Sequence, residues 1–248
     1  MSKRPLLEAK DLHISFSGMT AVAGVDLTIH EGEFVAIIGP NGSGKTTFLN
    51  LCTGYLKPNK GEVYLDGTPI VAMAPRKIAH HGIARAFQIP QLFLDQTVLD
   101  NLLIAMAAKQ GIWSWFQNLR TARRRAEAMA MLTMVGLQDE ADQFASALPE
   151  GKRKLLDIVL ALALKPRLIL LDEPTSGVST IERFSLMETL MKALREAKVT
   201  ALFVEHDMEV VQRYADRVAV WDSGRVLTEG PPAEVFSNEE VLRKVVGV

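Results

Sequence analysis

The sequence predicts an α/β domain whose core is interrupted by a long helical segment. Three features carry that expectation. An apolar run from Glu33 to Ile38 leads through a glycine loop into a helical pattern, and a series of short apolar strands resumes after residue 165. Between these, from Val98 to about Leu164, the pattern is helical, rich in Ala, Leu and Met, and shows no strand. The 248 residues are 48% hydrophobic and 23% charged, which excludes a disordered chain and leaves room for one large domain or two small ones.

The elements come in order along the chain. After the strand at 33–38, residues Lys45 to Leu56 place Phe48, Leu49, Cys52 and Leu56 on one helical face, and Pro58-Asn59-Lys60-Gly61 ends that helix. Glu62 to Leu65 alternates as a strand, and Asp66-Gly67 supplies a hairpin turn, so the first third contains antiparallel sheet. Strands are expected at Leu168–Leu171, Val199–Val204, Arg217–Trp221 and Val226–Thr228, with a helix from about Thr180 to Ala197. Pro231-Pro232 introduces a short helical tail. This divides the chain into an α/β core with antiparallel part (1–92 and 165–230), a helical subdomain (93–164) and a tail (231–248).

Other classes drop out early. Lys3 and Arg4 are followed by Glu8, Lys10 and Asp11 rather than by the apolar core of a signal peptide, so this end is expected to stay on the protein. The longest apolar runs fall short of the roughly 18 to 20 residues that cross a bilayer, and a membrane role is expected to run through a partner. A net charge of -1 gives no footprint for tight nucleic-acid binding. Cys52 is the single cysteine, which precludes an intramolecular disulfide and suits a reducing compartment.

Gly39-Pro40-Asn41-Gly42-Ser43-Gly44-Lys45-Thr46 satisfies G-x-x-x-x-G-K-[ST] between a predicted strand and a predicted helix. Glycines there let backbone N–H groups turn toward phosphate oxygens, the helix N-terminus adds its positive end, and Lys45 places charge on the β- and γ-phosphates. Thr46 is expected to ligate Mg²⁺ and Thr47 to touch the α-phosphate. Arg167 to Glu173 is an apolar strand delivering Asp172 and Glu173 at its C-terminal end, the edge where open α/β sheets bind ligands. Asp172 suits Mg²⁺, and Glu173 suits polarising a water aimed at the γ-phosphate. His206, just after the Val199–Val204 strand, is placed to reach the same edge.

These residues resemble the ATP-binding cassette of ABC transporters, over essentially the whole chain. Phe16 is similar to the aromatic that stacks on adenine, Gln88 in Arg85-Ala86-Phe87-Gln88 to the Q-loop glutamine, Asp172 to the Walker B aspartate, Glu173 to the catalytic glutamate and His206 to the switch histidine. Small GTPases fit less well, since Asn59-Lys60 is followed by Gly61-Glu62 and not by an Asp. The resemblance implies a P-loop NTPase cassette with a RecA-like core, an N-terminal antiparallel β subdomain and an inserted helical subdomain. It also implies ATP and Mg²⁺, with Thr46, Gln88 and Asp172 around the metal. Arg85 to Gln88 with Leu92-Phe93, then Thr97-Val98, Asn101-Leu102-Leu103, Val204 to Met208 and Asn238 to Val241, most resemble the cassettes of branched-chain amino-acid importers. This closer resemblance implies an importer ATPase on the cytoplasmic face of the inner membrane. It would work with a second cassette, transmembrane permease subunits and, indirectly, a solute-binding protein. An exporter cassette and a soluble ABC ATPase are the alternatives.

Two departures stand out. The signature Leu-Ser-Gly-Gly-Gln reads Leu148-Pro149-Glu150-Gly151-Lys152, so only Gly151 remains to reach the ATP of the partner cassette through its backbone. Pro149 and Glu150 suit a helix start, and Glu150 would repel ATP if it faced the site. The departure leads us to expect a heterodimer, with a homodimer as the alternative. Ser179 stands where Asp is frequent, and with Glu182 it reads as a capping box. His80-His81 reads as a solvated helix end. Trp113 and Trp115, within a basic stretch reaching Arg125, read as an exposed helix, with a membrane-proximal surface as the alternative.

Overall fold

The computed structural model describes residues 4–110, 121–238, 241 and 243. Two strands missing from the element-by-element reading open the chain, β1 (Pro5–Phe16) and β2 (Met19–His30), and they form a long antiparallel hairpin. Their alternation is interrupted by register shifts near Leu12 and Ser15, which is why a strict two-residue period does not show in the sequence. β3 (Phe34–Ile38) and α1 (Lys45–Cys52) follow, then β4 (Lys60–Leu65), β5 (Thr68–Pro69), α2 (Pro75–His81) and β6 (Ile83–Ala86). α1 ends four residues before the expected Leu56, because Thr53 Oγ1 donates back to the Leu49 carbonyl at 2.8 Å and Gly54 turns the chain at φ 73°.

Helices α3 (Val98–Gln110), α4 (Ala122–Met134) and α5 (Glu150–Ala163) fill the stretch before β7 (Leu168–Asp172). The chain closes with α6 (Thr180–Glu196), β8 (Thr200–Val204), α7 (Met208–Tyr214), β9 (Arg217–Asp222), β10 (Arg225–Gly230) and α8 (Pro232–Val235). His80 and His81 lie exposed in the last turn of α2, as expected of a solvated helix end. Trp113, Trp115, Glu239 and Glu240 lie outside the described residues.

The strands make two sheets, β2-β1-β4-β5 and β10-β9-β3-β8-β7-β6. In the second, β9, β3, β8, β7 and β6 run parallel, and β10 is antiparallel at one edge. Strands buried on both faces read as near-continuous apolar runs, as in β3, in β7 up to Asp172 and in β8 after Thr200. Phe34, Ala36 and Ile38 of β3 face a core shared with α3 to α7, while Val35 and Ile37 face one shared with α1 and the antiparallel sheet. The layers run from antiparallel sheet through α1 and α2 to parallel sheet and the outer helices. All parallel strands point their C-terminal ends to one edge, where the loops after β3, β6, β7 and β8 meet.

Candidate functional site at the sheet edge

The loop after β3 carries Gly39 to Thr46. A Cβ on Gly39 would collide with the Trp221 carbonyl oxygen, and one on Gly44 with that of Ala21 from β2. Only glycine lets the loop lie this close to β9 and the hairpin, and Gly44 also takes φ 101°. Asn41 and Gly42 form the exposed crest. Lys45 is 6% exposed, and its ammonium donates to the carbonyls of Gly39 at 2.7 Å and Pro40 at 2.8 Å. Burial lowers its pKa, opposed by the charges of Glu173 and Asp172. Ser43 Oγ is buried without a hydrogen-bond partner. A glycine cradle, an inward ammonium and an orphan hydroxyl fit a bound phosphate chain.

Asp172 ends β7, 5% exposed, and its Oδ1 accepts from Thr46 Oγ1 at 3.4 Å. A hydroxyl and a carboxylate this close, both oxygen donors, fit a magnesium ion that keeps several waters. The other oxygen, Oδ2, accepts from Arg85 at 2.7 Å, and Arg85 also donates to Asn50 of α1 at 2.5 Å. The Arg85 side chain is 6% exposed. Sequence reading missed this pair, since an Arg within Arg85 to Gln88 shows no partner until β6 lies beside β7.

Glu173 takes φ 51°, a left-handed conformation costing a non-glycine residue roughly 1–3 kcal/mol. That turn brings its carboxylate to Gln88 Nε2, which donates to Oε2 at 2.9 Å, and to His206 Nε2, which donates to Oε1 at 2.8 Å. Behind them Glu205 is 2% exposed; its Oε1 accepts from the Thr175 hydroxyl at 2.8 Å and its Oε2 from the His206 N–H at 3.2 Å. Burial raises its pKa. Glu205 thereby ties the turn after β7 to the end of β8.

Lys45, Thr46, Gln88, Asp172, Glu173 and His206 are thus brought to one edge. Thr47 sits half-buried in the first turn of α1. Phe16 is 45% exposed at the end of β1, at the rim formed by the hairpin that packs on Gly44. Gly151 stands apart in the first turn of α5, beside Val178 and Leu186. Glu150 does not point into the chain's own phosphate loop: its Oε1 lies 2.5 Å from where a Cβ on Gly177 would be. Ser179 caps α6, accepting from the Glu182 N–H at 3.4 Å while its hydroxyl donates to the Glu182 carboxylate at 2.6 Å. Among the described residues no cluster of His, Cys, Asp and Glu could hold a further metal, and no helix is long and apolar enough to cross a membrane.

Fold and site together define a nucleotide-binding ATPase cassette. The family model for the ABC transporter matches residues 22–176, and the chain belongs to that family. It is 36% identical, over 98% of both chains, to the high-affinity branched-chain amino acid transport ATP-binding protein BraF of Pseudomonas aeruginosa. Its identity to the corresponding protein LivG of Escherichia coli is 34%, over 98% of both. Among solved structures it is similar to the ADP conformation of MJ1267, an ATP-binding cassette of an ABC transporter, with TM-score 0.86, 30% identity and coverage of 99% and 100%. The dimeric cassette MJ0796, bound to ADP and Pi, aligns with TM-score 0.77 and 28% identity, covering 92% of this chain and 99% of that one.

Proposed function

We propose that this chain is the ATP-hydrolysing subunit of an ABC importer that takes up branched-chain or other amino acids or related small polar solutes. Two such cassettes hold ATP between them at the cytoplasmic face of the membrane and drive permease subunits supplied by a solute-binding protein. The observation that carries the chemistry is the grip of Gln88 and His206 on the two carboxylate oxygens of Glu173, beside Lys45. The names of the relatives, branched-chain amino acid transport ATP-binding proteins, support the solute class and the coupling to transport.

In this reading Phe16 stacks on the adenine, and backbone N–H groups of Gly39 to Thr46 hold the phosphates, with Thr47 at the α-phosphate. Lys45 exchanges the carbonyls of Gly39 and Pro40 for phosphate oxygens and offsets charge as the γ-phosphate bond breaks. Mg²⁺, held by Thr46 and Asp172 with Gln88 nearby, would neutralise charge on the β- and γ-phosphates. Glu173 accepts a proton from the attacking water, and His206 and Gln88 orient that carboxylate and the γ-phosphate. The helical part, 93–164, presents Gly151 to ATP held on the other cassette. The test is to purify the chain with its permease, reconstitute it in vesicles with the binding protein, and follow amino-acid uptake with ATP hydrolysis. Solute-stimulated hydrolysis with inward transport is expected; outward movement, or hydrolysis that the solute-loaded binding protein does not stimulate, overturns the reading.

A further inference from the structure

α5 carries two charges where apolar residues are the rule. Lys154 is 3% exposed and Asp157 is 7% exposed, in a stretch from 154 to 159 where the helix is buried all round. A buried charge costs several kcal/mol unless hydrogen bonds satisfy it. Both are satisfied, and by backbone. Asp157 Oδ2 accepts from the Phe87 N–H at 3.1 Å and its Oδ1 from the Gln91 N–H at 3.0 Å, so the carboxylate fastens the chain on either side of Gln88. Lys154 Nζ donates to the Glu173 carbonyl at 3.1 Å and reaches the Gln88 carbonyl at 3.4 Å. The two residues are three apart and share a helix face. Gly151 lies one turn before Lys154, about 4.5 Å along the axis.

We propose that Lys154 and Asp157 are positioning residues for ATP hydrolysis, a clamp that ties the backbone of Gln88 and of Glu173 to the helix opening at Gly151. The proposal rests on the roles assigned above to Gln88 and Glu173. Because every clamp bond ends on a peptide group, α5 sets where these side chains stand, and the Lys154 charge acts on the Glu173 carboxylate only through space. A rigid helix moved at its N-terminus by the partner cassette's ATP therefore moves both residues together.

The assay uses the cassette pair assembled with its permease, with nucleotide affinity, KM and kcat measured separately. Lys154→Met should bind ATP within about twofold of wild type yet lose about tenfold to 100-fold in kcat, since displacement of a catalytic group by about an ångström has that effect. Lys154→Arg should recover most of the loss, because a guanidinium also donates to two carbonyls. A Cβ at Gly151 meets only ordinary contacts, at 3.7 Å and 3.9 Å, so Gly151→Ala fits its own chain and perturbs the partner's site. It should slow the wild type and add little in the Lys154→Met background. Wild-type kcat in Lys154→Met, or additive losses without rescue by Arg, overturns the clamp. Should Lys154→Met fail to fold, Asp157→Asn, which leaves one of the two N–H groups without an acceptor, must lower kcat at constant affinity or the proposal falls. Glu173→Gln is run in parallel: wild-type turnover there refutes the role of Glu173, whereas an inactive Glu173→Gln beside an unimpaired Lys154→Met refutes the clamp alone.

Discussion

Nε2 of His206 stands 2.8 Å from Oε1 of Glu173, across 33 residues of sequence. With Gln88 on the other oxygen, the carboxylate at the end of β7 is held on both sides by groups from the ends of β6 and β8. Glu173→Gln retains the side-chain size and one acceptor oxygen for its two donors, but it loses the basic carboxylate. ATP binding is expected to persist and turnover to fall by about 10²-fold or more, the range for removing a general base. Hydrolysis by the assembled complex, with nucleotide affinity measured separately, checks this.

Lys45→Ala acts at an earlier step. The ammonium is held inward by two loop carbonyls, so its exchange onto phosphate replaces two neutral acceptors by charged ones. Losing a charge-assisted bond of about 1.5–3 kcal/mol corresponds to at least about a tenfold weaker affinity for ATP. Equilibrium titration with a fluorescent ATP analogue reads it, and an unchanged affinity would remove Lys45 from the phosphate site.

Asp157 supplies a pH dependence. Burial pushes its carboxyl up from 3.8 to about 6, against the N–H groups of Gln91 and Phe87 and the charge of Lys154, which act to lower it. Since the folded pKa lies above the unfolded one, the stabilisation is complete below the unfolded pKa and is lost as pH rises through about 6. At 1.36 kcal/mol per unit the full difference is about 3 kcal/mol. Thermal unfolding between pH 4 and pH 7 should therefore show wild type losing stability relative to Asp157→Asn. Parallel curves for the two proteins would mean that the carboxyl titrates normally.

The altered signature is expected to make the two ATP sites of a mixed pair unequal. Proline at 149 offers neither a hydroxyl nor an N–H, and Glu150 turns toward Gly177 of its own chain. Replacing Pro149 by Ser and Glu150 by Gly should raise hydrolysis mainly of the ATP bound on the partner cassette, by adding γ-phosphate donors. Single-turnover rates in the Glu173→Gln background isolate that site. A rate that already equals the reciprocal mutant's and ignores the substitutions would show that the backbone at Gly151 suffices.

Much of the site was legible because its chemistry is local. Gly39 to Thr46 are contiguous, so the cradle needs only a strand before it and a helix after it, and Asp172-Glu173 end an unmistakably apolar strand. The capping of α6 by Ser179 is likewise a matter of residues three apart. Strand pairing is different, because its partners are remote. β1 and β2 carry register shifts that break the two-residue period, and β6 is four residues long, so neither announces itself along the chain. Tertiary structure alone decided that Arg85 meets Asp172, that Glu205 joins Thr175 to His206, and that Lys154 and Asp157 reach the chain around Gln88 and Glu173. A charge at a buried position of a helix declares in sequence only that it needs a partner. Which partner it finds is set when sheet order brings β6, β7 and β8 side by side, and the cost of burying an unpaired charge disfavours leaving it without one.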